Sequence, residues 1–160
     1  MTIKIGQTLP NTTFMQMGAS GPQPVSTQSA FKGKRVALFA VPGAYTPTCS
    51  AQHVPSFKAH EAALRAKGID AIACTSVNDV FVMDAWAKDQ GVAENMQFLA
   101  DGNGEFAKAV GLELDGSGFG LGQRSQRYAM VINDGVVEQL FVEGPGEFKV
   151  SSAEHMLDNI

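Results

Sequence analysis

Apolar positions along this chain fall into two patterns, short continuous runs and longer stretches at helical spacing. Arg35 to Val41 is apolar after its first residue and ends at Pro42-Gly43, which predicts a strand buried on both faces. Thr46 suits a helix N-cap and Pro47 the first helical position, so a helix starts there with Cys49 in its first turn. It is expected to run to about Lys67, kinked at Pro55 and closed by Gly68. Ile69 to Val77 is the next strand, with Cys74 inside it. Asp79 to Gln90 has helical spacing, burying Val80, Met83, Trp86 and Ala87, and Gly91 stops it. Met96 to Ala100 predicts a short strand, Glu105 to Val110 a short helix, and Gly111 to Gly122 a glycine-rich loop. Tyr128 to Ile132 and Val136 to Val142 flank Asn133-Asp134-Gly135, a tight hairpin signal. Ser151 with Glu154 fits a capping box at the start of a C-terminal helix. The Gly/Pro/Thr-rich residues up to about Val25 are expected to form a small hairpin.

The resulting order, β-α-β-α-β-α-β-β-α after an N-terminal extension, is the thioredoxin arrangement. The expected fold is therefore α/β and thioredoxin-like, a central mixed sheet flanked by helices, with residues 1–160 as one domain. A formal net charge of −4 argues against nucleic acid or an anionic membrane surface as the main partner. No stretch is long and apolar enough to span a bilayer, and Met1 to Gly6 carries no apolar signal region. Two cysteines are too few for a disulfide scaffold, so a reducing compartment, the cytoplasm, is expected.

Cys49 is the chemical focus. A thiol in the first turn of a helix faces unpaired backbone N–H groups and the positive end of the helix dipole, and both favour thiolate. Arg124 and Arg127 stand just before the hairpin strand, which in a thioredoxin-like sheet could lie near the strand delivering Cys49. A dithiol oxidoreductase would carry cysteine at position 46. Thr46-x-x-Cys49 leaves a lone thiol that can attack an electrophile and form a sulfenic acid or mixed disulfide, but cannot do dithiol exchange by itself. Cys74, inside an apolar strand, reads as a buried small hydrophobe. Cys49-x5-Pro55 lacks the arginine of a phosphatase loop, and His53, His60 and His155 lack zinc spacing, so they read as surface or core residues. A cysteine hydrolase has no supporting local signature, and Gly116 to Gly122 does not satisfy a dinucleotide motif.

The run Pro42-Gly43-Ala44-Tyr45-Thr46-Pro47-Thr48-Cys49 resembles the P-x-x-x-T/S-x-x-C motif of peroxiredoxins, and within them the plant type II peroxiredoxins and mammalian peroxiredoxin five. Ser50 to Pro55, Ala73 to Asp79, Arg127 to Val131 and Val150 to Glu154 extend the resemblance over nearly the whole chain. It implies a thiol peroxidase for hydrogen peroxide and organic hydroperoxides. Cys49 would become a sulfenic acid, Thr46 and Arg127 would hold the peroxide oxygens, and Pro42 would shield the thiolate. Arg127, which precedes an aromatic residue, matches the family's arginine; Arg124 would tune the field or be solvated. The region Glu147 to Ser152 lacks the resolving cysteine of mammalian peroxiredoxin five. The resemblance thus implies one-cysteine turnover, with glutathione and glutaredoxin or a similar external thiol as reductant and no cofactor or metal. The alternatives are a Cys49–Cys74 disulfide reduced by thioredoxin and a peroxide sensor using the same thiol. A homodimer through the surface around the active-site loop, near Tyr45, is also implied.

Overall fold

Arg35–Ala40 forms a strand in which every residue after the first is buried, as its apolar run requires. The computed structural model describes all of residues 1–160. In chain order the elements are β1 (Thr13–Gly18), β2 (Gly21–Ser26), α1 (Thr27–Phe31), β3 (Arg35–Ala40), α2 (Val54–Ala59), α3 (Glu61–Ala66), β4 (Ala71–Ser76) and α4 (Val80–Asp89). They continue with β5 (Gln97–Ala100), α5 (Glu105–Ala109), β6 (Glu113–Asp115), β7 (Gln123–Ser125), β8 (Tyr128–Asn133), β9 (Val136–Val142) and α6 (Ala153–Asp158).

Seven strands make one mixed sheet in the order β2-β1-β5-β4-β3-β8-β9. β3 pairs parallel with β4 and antiparallel with β8. Its side chains alternate between two cores. Ala37, Phe39 and Val41 join Phe57 of α2, Leu64 of α3, Trp86 of α4 and Met156 of α6 on one face. Val36, Leu38 and Ala40 join Phe31 of α1 and Phe106 of α5 on the other. Burying one such Phe or Leu contributes about 1.5–3 kcal/mol. Helices of five or six residues have no stability of their own, so this burial holds them. The arrangement is thioredoxin-like, as expected. The hairpin turn also forms as expected, with Asp134 and Gly135 at φ +49° and +80°.

Several expectations need correction. The helix after β3 does begin at Pro47, but it is not one kinked rod to Lys67. Residues Cys49–His53 form a wide π turn, in which Val54 N–H reaches back to the Cys49 carbonyl. Pro55 has no N–H for the carbonyl four residues earlier, and the wide turn absorbs that defect instead of a kink. The break comes at His60 (φ −109°, ψ 15°), between α2 and α3. Gly68 at φ +90° does close α3, with Gly68 N–H on Arg65 O and Ile69 N–H on Leu64 O. The glycine-rich stretch is not all loop: β6 lies within it and pairs antiparallel with β7, which follows directly. α1 was not expected. Ser152, rather than Ser151, caps α6 by accepting from His155 N–H.

Candidate active site

Sheet register brings distant residues to Cys49. Ala40, at the end of β3, pairs with Tyr128, at the start of β8. Arg127 immediately precedes Tyr128, and the chain beyond Ala40 turns through Pro42-Gly43 into the helix of Cys49. Adjacent strands lie about 4.8 Å apart. Arg127, 78 positions from Cys49 in sequence, therefore donates from Nη2 to Cys49 Sγ at 3.0 Å.

Thr46 Oγ1 stands 2.8 Å from the same sulfur and 2.7 Å from the Gly43 carbonyl. Its single proton cannot serve both acceptors at once. With a thiol, S–H donates to Oγ1 and the hydroxyl donates to Gly43. With a thiolate, the hydroxyl turns its proton to sulfur. Thr46 thus accommodates either protonation state without moving. The N–H groups of Thr48 and Cys49, in the first helical turn, donate to no backbone carbonyl.

The loop between Pro42 and Thr46 is pinned from outside. Tyr45 has φ +64°, a left-handed conformation that costs a non-glycine residue about 1–2 kcal/mol. Ala44 N–H on Asn78 Oδ1 at 2.9 Å and Tyr45 Oη on Asp89 at 2.7 Å offset that cost. Ser76 Oγ in turn holds Asn78 Oδ1 at 2.6 Å.

Cys49 and His53 are both fully buried. His53 accepts at Nδ1 from Arg127 Nη1 (2.9 Å) and meets the Ser151 carbonyl at Nε2 (2.9 Å). The carbonyl can only accept and the guanidinium can only donate, so the ring is neutral with its proton on Nε2. Burial, and then the charge of Arg127, lower the His53 pKa to about 3. A surface cavity of about 340 Å³ has Pro42, Thr48, Gln126 and Arg127 in its wall. Neither Cys49 nor Thr46 lines it, so the cavity ends at residues that flank the sulfur.

The Redoxin family profile matches residues 4–157. The chain is 49% identical over 160 residues to the chloroplastic peroxiredoxin-2E of Arabidopsis thaliana, covering 98% of this chain and 68% of the relative. The chain belongs to the redoxin family and is a peroxiredoxin. Its structure is similar to that of reduced Vibrio vulnificus Prx3 in complex with H2O2, with 52% identity, 98% of each chain covered and a TM-score of 0.94. It is also similar to peroxiredoxin 5 from Alvinella pompejana, with 35% identity, 88% and 90% coverage of the two chains and a TM-score of 0.80. The peroxiredoxin is a thiol peroxidase of the type II, peroxiredoxin 5-like kind.

Within this peroxiredoxin, Thr46, Cys49 and Arg127 meet, and Pro42 lines the approach. Arg124 does not join them and is not merely solvated. It donates to the Leu121 and Val77 carbonyls at 2.9 and 3.0 Å, tying the glycine-rich ribbon to the end of β4. Cys74 is fully buried opposite Phe39, and burial, then Cys49, push its thiol well up. His60 sits on the Ser56 carbonyl and near Glu154. No group of three or more His, Cys, Asp or Glu side chains converges to hold a metal ion. His53 and Asn78 are the site residues whose roles sequence reasoning missed. The one available signal was the i, i+4 spacing of Cys49 and His53, which puts both on one helix face.

The neutral His53 makes stability depend on pH. The unfolded ring takes up a proton near pH 6.5, whereas the folded ring does so only near 3. The contribution of the neutral His53 is therefore complete above about pH 6.5 and is lost as pH falls, at up to about 1.4 kcal/mol per pH unit. Urea unfolding at about pH 4.5 should show about 2–3 kcal/mol less stability than at about pH 7.5. His53→Leu should flatten that slope; an unchanged slope in the variant contradicts the assignment.

Proposed function

We propose that Cys49 is the peroxidatic nucleophile and that an external thiol, glutathione with glutaredoxin, recycles it. The observation that carries the first part is the pair of donors, Arg127 Nη2 and Thr46 Oγ1, at 3.0 and 2.8 Å from Sγ. The thiolate attacks the terminal peroxide oxygen. An S–O bond forms, the O–O bond breaks, and the leaving oxygen departs as alcohol or water with a proton from solvent. Arg127 and Thr46 are placed to hold the two oxygens in line and to stabilise charge growing on the leaving one. Pro42 shields the sulfur from bulk water.

Cys49 is fully buried in this structure, so its sulfenic acid meets a second thiol once the helix around it opens. Attack by glutathione forms a mixed disulfide and water, and a further thiol displaces Cys49. Two observations support an external thiol. Cys74 is enclosed in β4 with its thiol strongly disfavoured as thiolate, and the segment from Glu147 to Ser152 holds no cysteine. One observation favours the second reading, a Cys49–Cys74 disulfide reduced by thioredoxin: both sulfurs belong to one core cluster, close enough for Cys49 to push the Cys74 thiol up. That disulfide requires the helix of Cys49 to unwind.

Native mass spectrometry after one equivalent of hydrogen peroxide and then glutathione separates the two. The external-thiol reading expects a glutathione adduct on Cys49, carried by a homodimer, and a Cys74→Ser variant that keeps turnover within about twofold. An intramolecular disulfide, or loss of turnover in Cys74→Ser, would sink it.

A further inference from the structure

The chain after β9 folds around one carboxylate. Glu143 Oε2 accepts the backbone N–H groups of Lys149, Val150 and Ser151 at 2.8 Å each and the Ser151 hydroxyl at 2.7 Å. Its Oε1 is 2.9 Å from the Lys149 N–H as well. Burial pushes the Glu143 carboxyl up, but these hydrogen bonds outweigh it and hold the group below its ordinary value. Charge-assisted bonds of this kind are about twice as strong as neutral ones, so this cluster dictates the path of the segment.

That path decides what His53 meets. Ser151, fixed through its N–H and hydroxyl, aims its carbonyl at His53 Nε2. Phe148 packs edge-on against the imidazole at 5.0 Å, while Phe39 and Phe57 hold other parts of the ring at 4.8 and 5.8 Å. The Ser151 carbonyl keeps the proton on Nε2 and leaves Nδ1 as an acceptor. In the other tautomer, an Nδ1–H would confront the Arg127 guanidinium, donor against donor.

We propose that Glu143 is a positioning residue for the peroxide reaction, holding Arg127 on Cys49 through the Ser151 carbonyl and the His53 ring. Glu143 lines the same cavity as Arg127, but its carboxylate makes no hydrogen bond to Cys49, Thr46 or Arg127. Its influence arrives as the orientation of one guanidinium, whose Nη1 rests on His53 and whose Nη2 rests on sulfur. The inference rests on Cys49 as the reacting thiol. If wild-type protein fails to react with peroxide, that premise falls; if only the variants below behave as wild type, this inference alone falls.

Glu143→Gln replaces one acceptor oxygen with an NH2 that faces backbone donors. It should slow the stopped-flow reaction of the reduced protein with hydrogen peroxide about 10-fold to 100-fold, since small misplacements of a catalytic group cost that much. The ring nitrogens of His53, followed by 15N NMR, should lose their single-tautomer pattern, which simple loss of stability would not change. Ser151→Ala removes one bond of the cluster and carries the test if Glu143→Gln does not fold. It should move both readouts in the same direction, with a rate loss of about threefold. A peroxide rate within twofold of wild type together with an unchanged His53 tautomer, in whichever variant carries the test, overturns the proposal.

Discussion

Cys49→Ser should abolish peroxide turnover, lowering it by at least roughly a thousandfold, because a serine hydroxyl is not an anion at neutral pH and a poor nucleophile without a base. The fold should survive, since the side chains are nearly isosteric and an oxygen can accept the same donors from Arg127 and Thr46. No other group at the site can substitute. The only other thiol, Cys74, is disfavoured as thiolate and receives no hydrogen bond from Arg127 or Thr46. His53 has both ring nitrogens committed to Arg127 and Ser151. Peroxide consumption in the presence of a large excess of thiol reductant checks this. Retention of more than a tenth of wild-type turnover would place the chemistry elsewhere.

Arg127→Leu should slow the first step by about 10²–10³-fold, the usual cost of deleting one donor aimed at developing negative charge. Two contacts disappear together. The sulfur loses Nη2 at 3.0 Å, and His53 Nδ1 loses its only donor in a fully buried position. The second loss adds a stability cost of about 1–3 kcal/mol for an unsatisfied buried acceptor. Arg127→Lys should recover only part of the rate. A single ammonium on a flexible stem cannot span sulfur and imidazole at once, whereas the planar guanidinium reaches both. Stopped-flow rate constants against hydrogen peroxide measure the effect. A loss under tenfold in Arg127→Leu would mean that Thr46 and the helix N–H groups carry the leaving oxygen without it.

Much of this was legible in the sequence because the signals were local or periodic. The apolar run after Arg35 predicted the central strand, Asp134-Gly135 the hairpin, and Thr46-Pro47 the start of the helix. Arg124 and Arg127 are both legible candidates because β8 could lie near the strand leading to Cys49, and the resemblance to peroxiredoxins singles out Arg127, which the register brings to the sulfur. What escaped was non-local or too short. β6 and β7 have three residues each, fewer than a period needs to declare itself. The break at His60 has no glycine or proline to mark it, while Pro55, which promised a kink, is absorbed by the π turn. The sequence marks His53 only as a surface or core histidine. Burial makes it the second, but its work depends on Arg127, 74 positions away, and Ser151, 98 away. Glu143 binds mainly backbone N–H groups, which every residue but proline supplies, so no pattern of side chains announces it.

The central claim is that one thiol, held by Thr46 and Arg127, takes the peroxide oxygen. Its most direct test is to mix reduced protein with one equivalent of hydrogen peroxide, trap sulfenic acid with dimedone and map the adduct by peptide mass spectrometry. A single adduct on the peptide containing Cys49, with Cys74 unmodified, is the predicted result. An adduct on Cys74, or peroxide consumption with Cys49 still a free thiol, would contradict it.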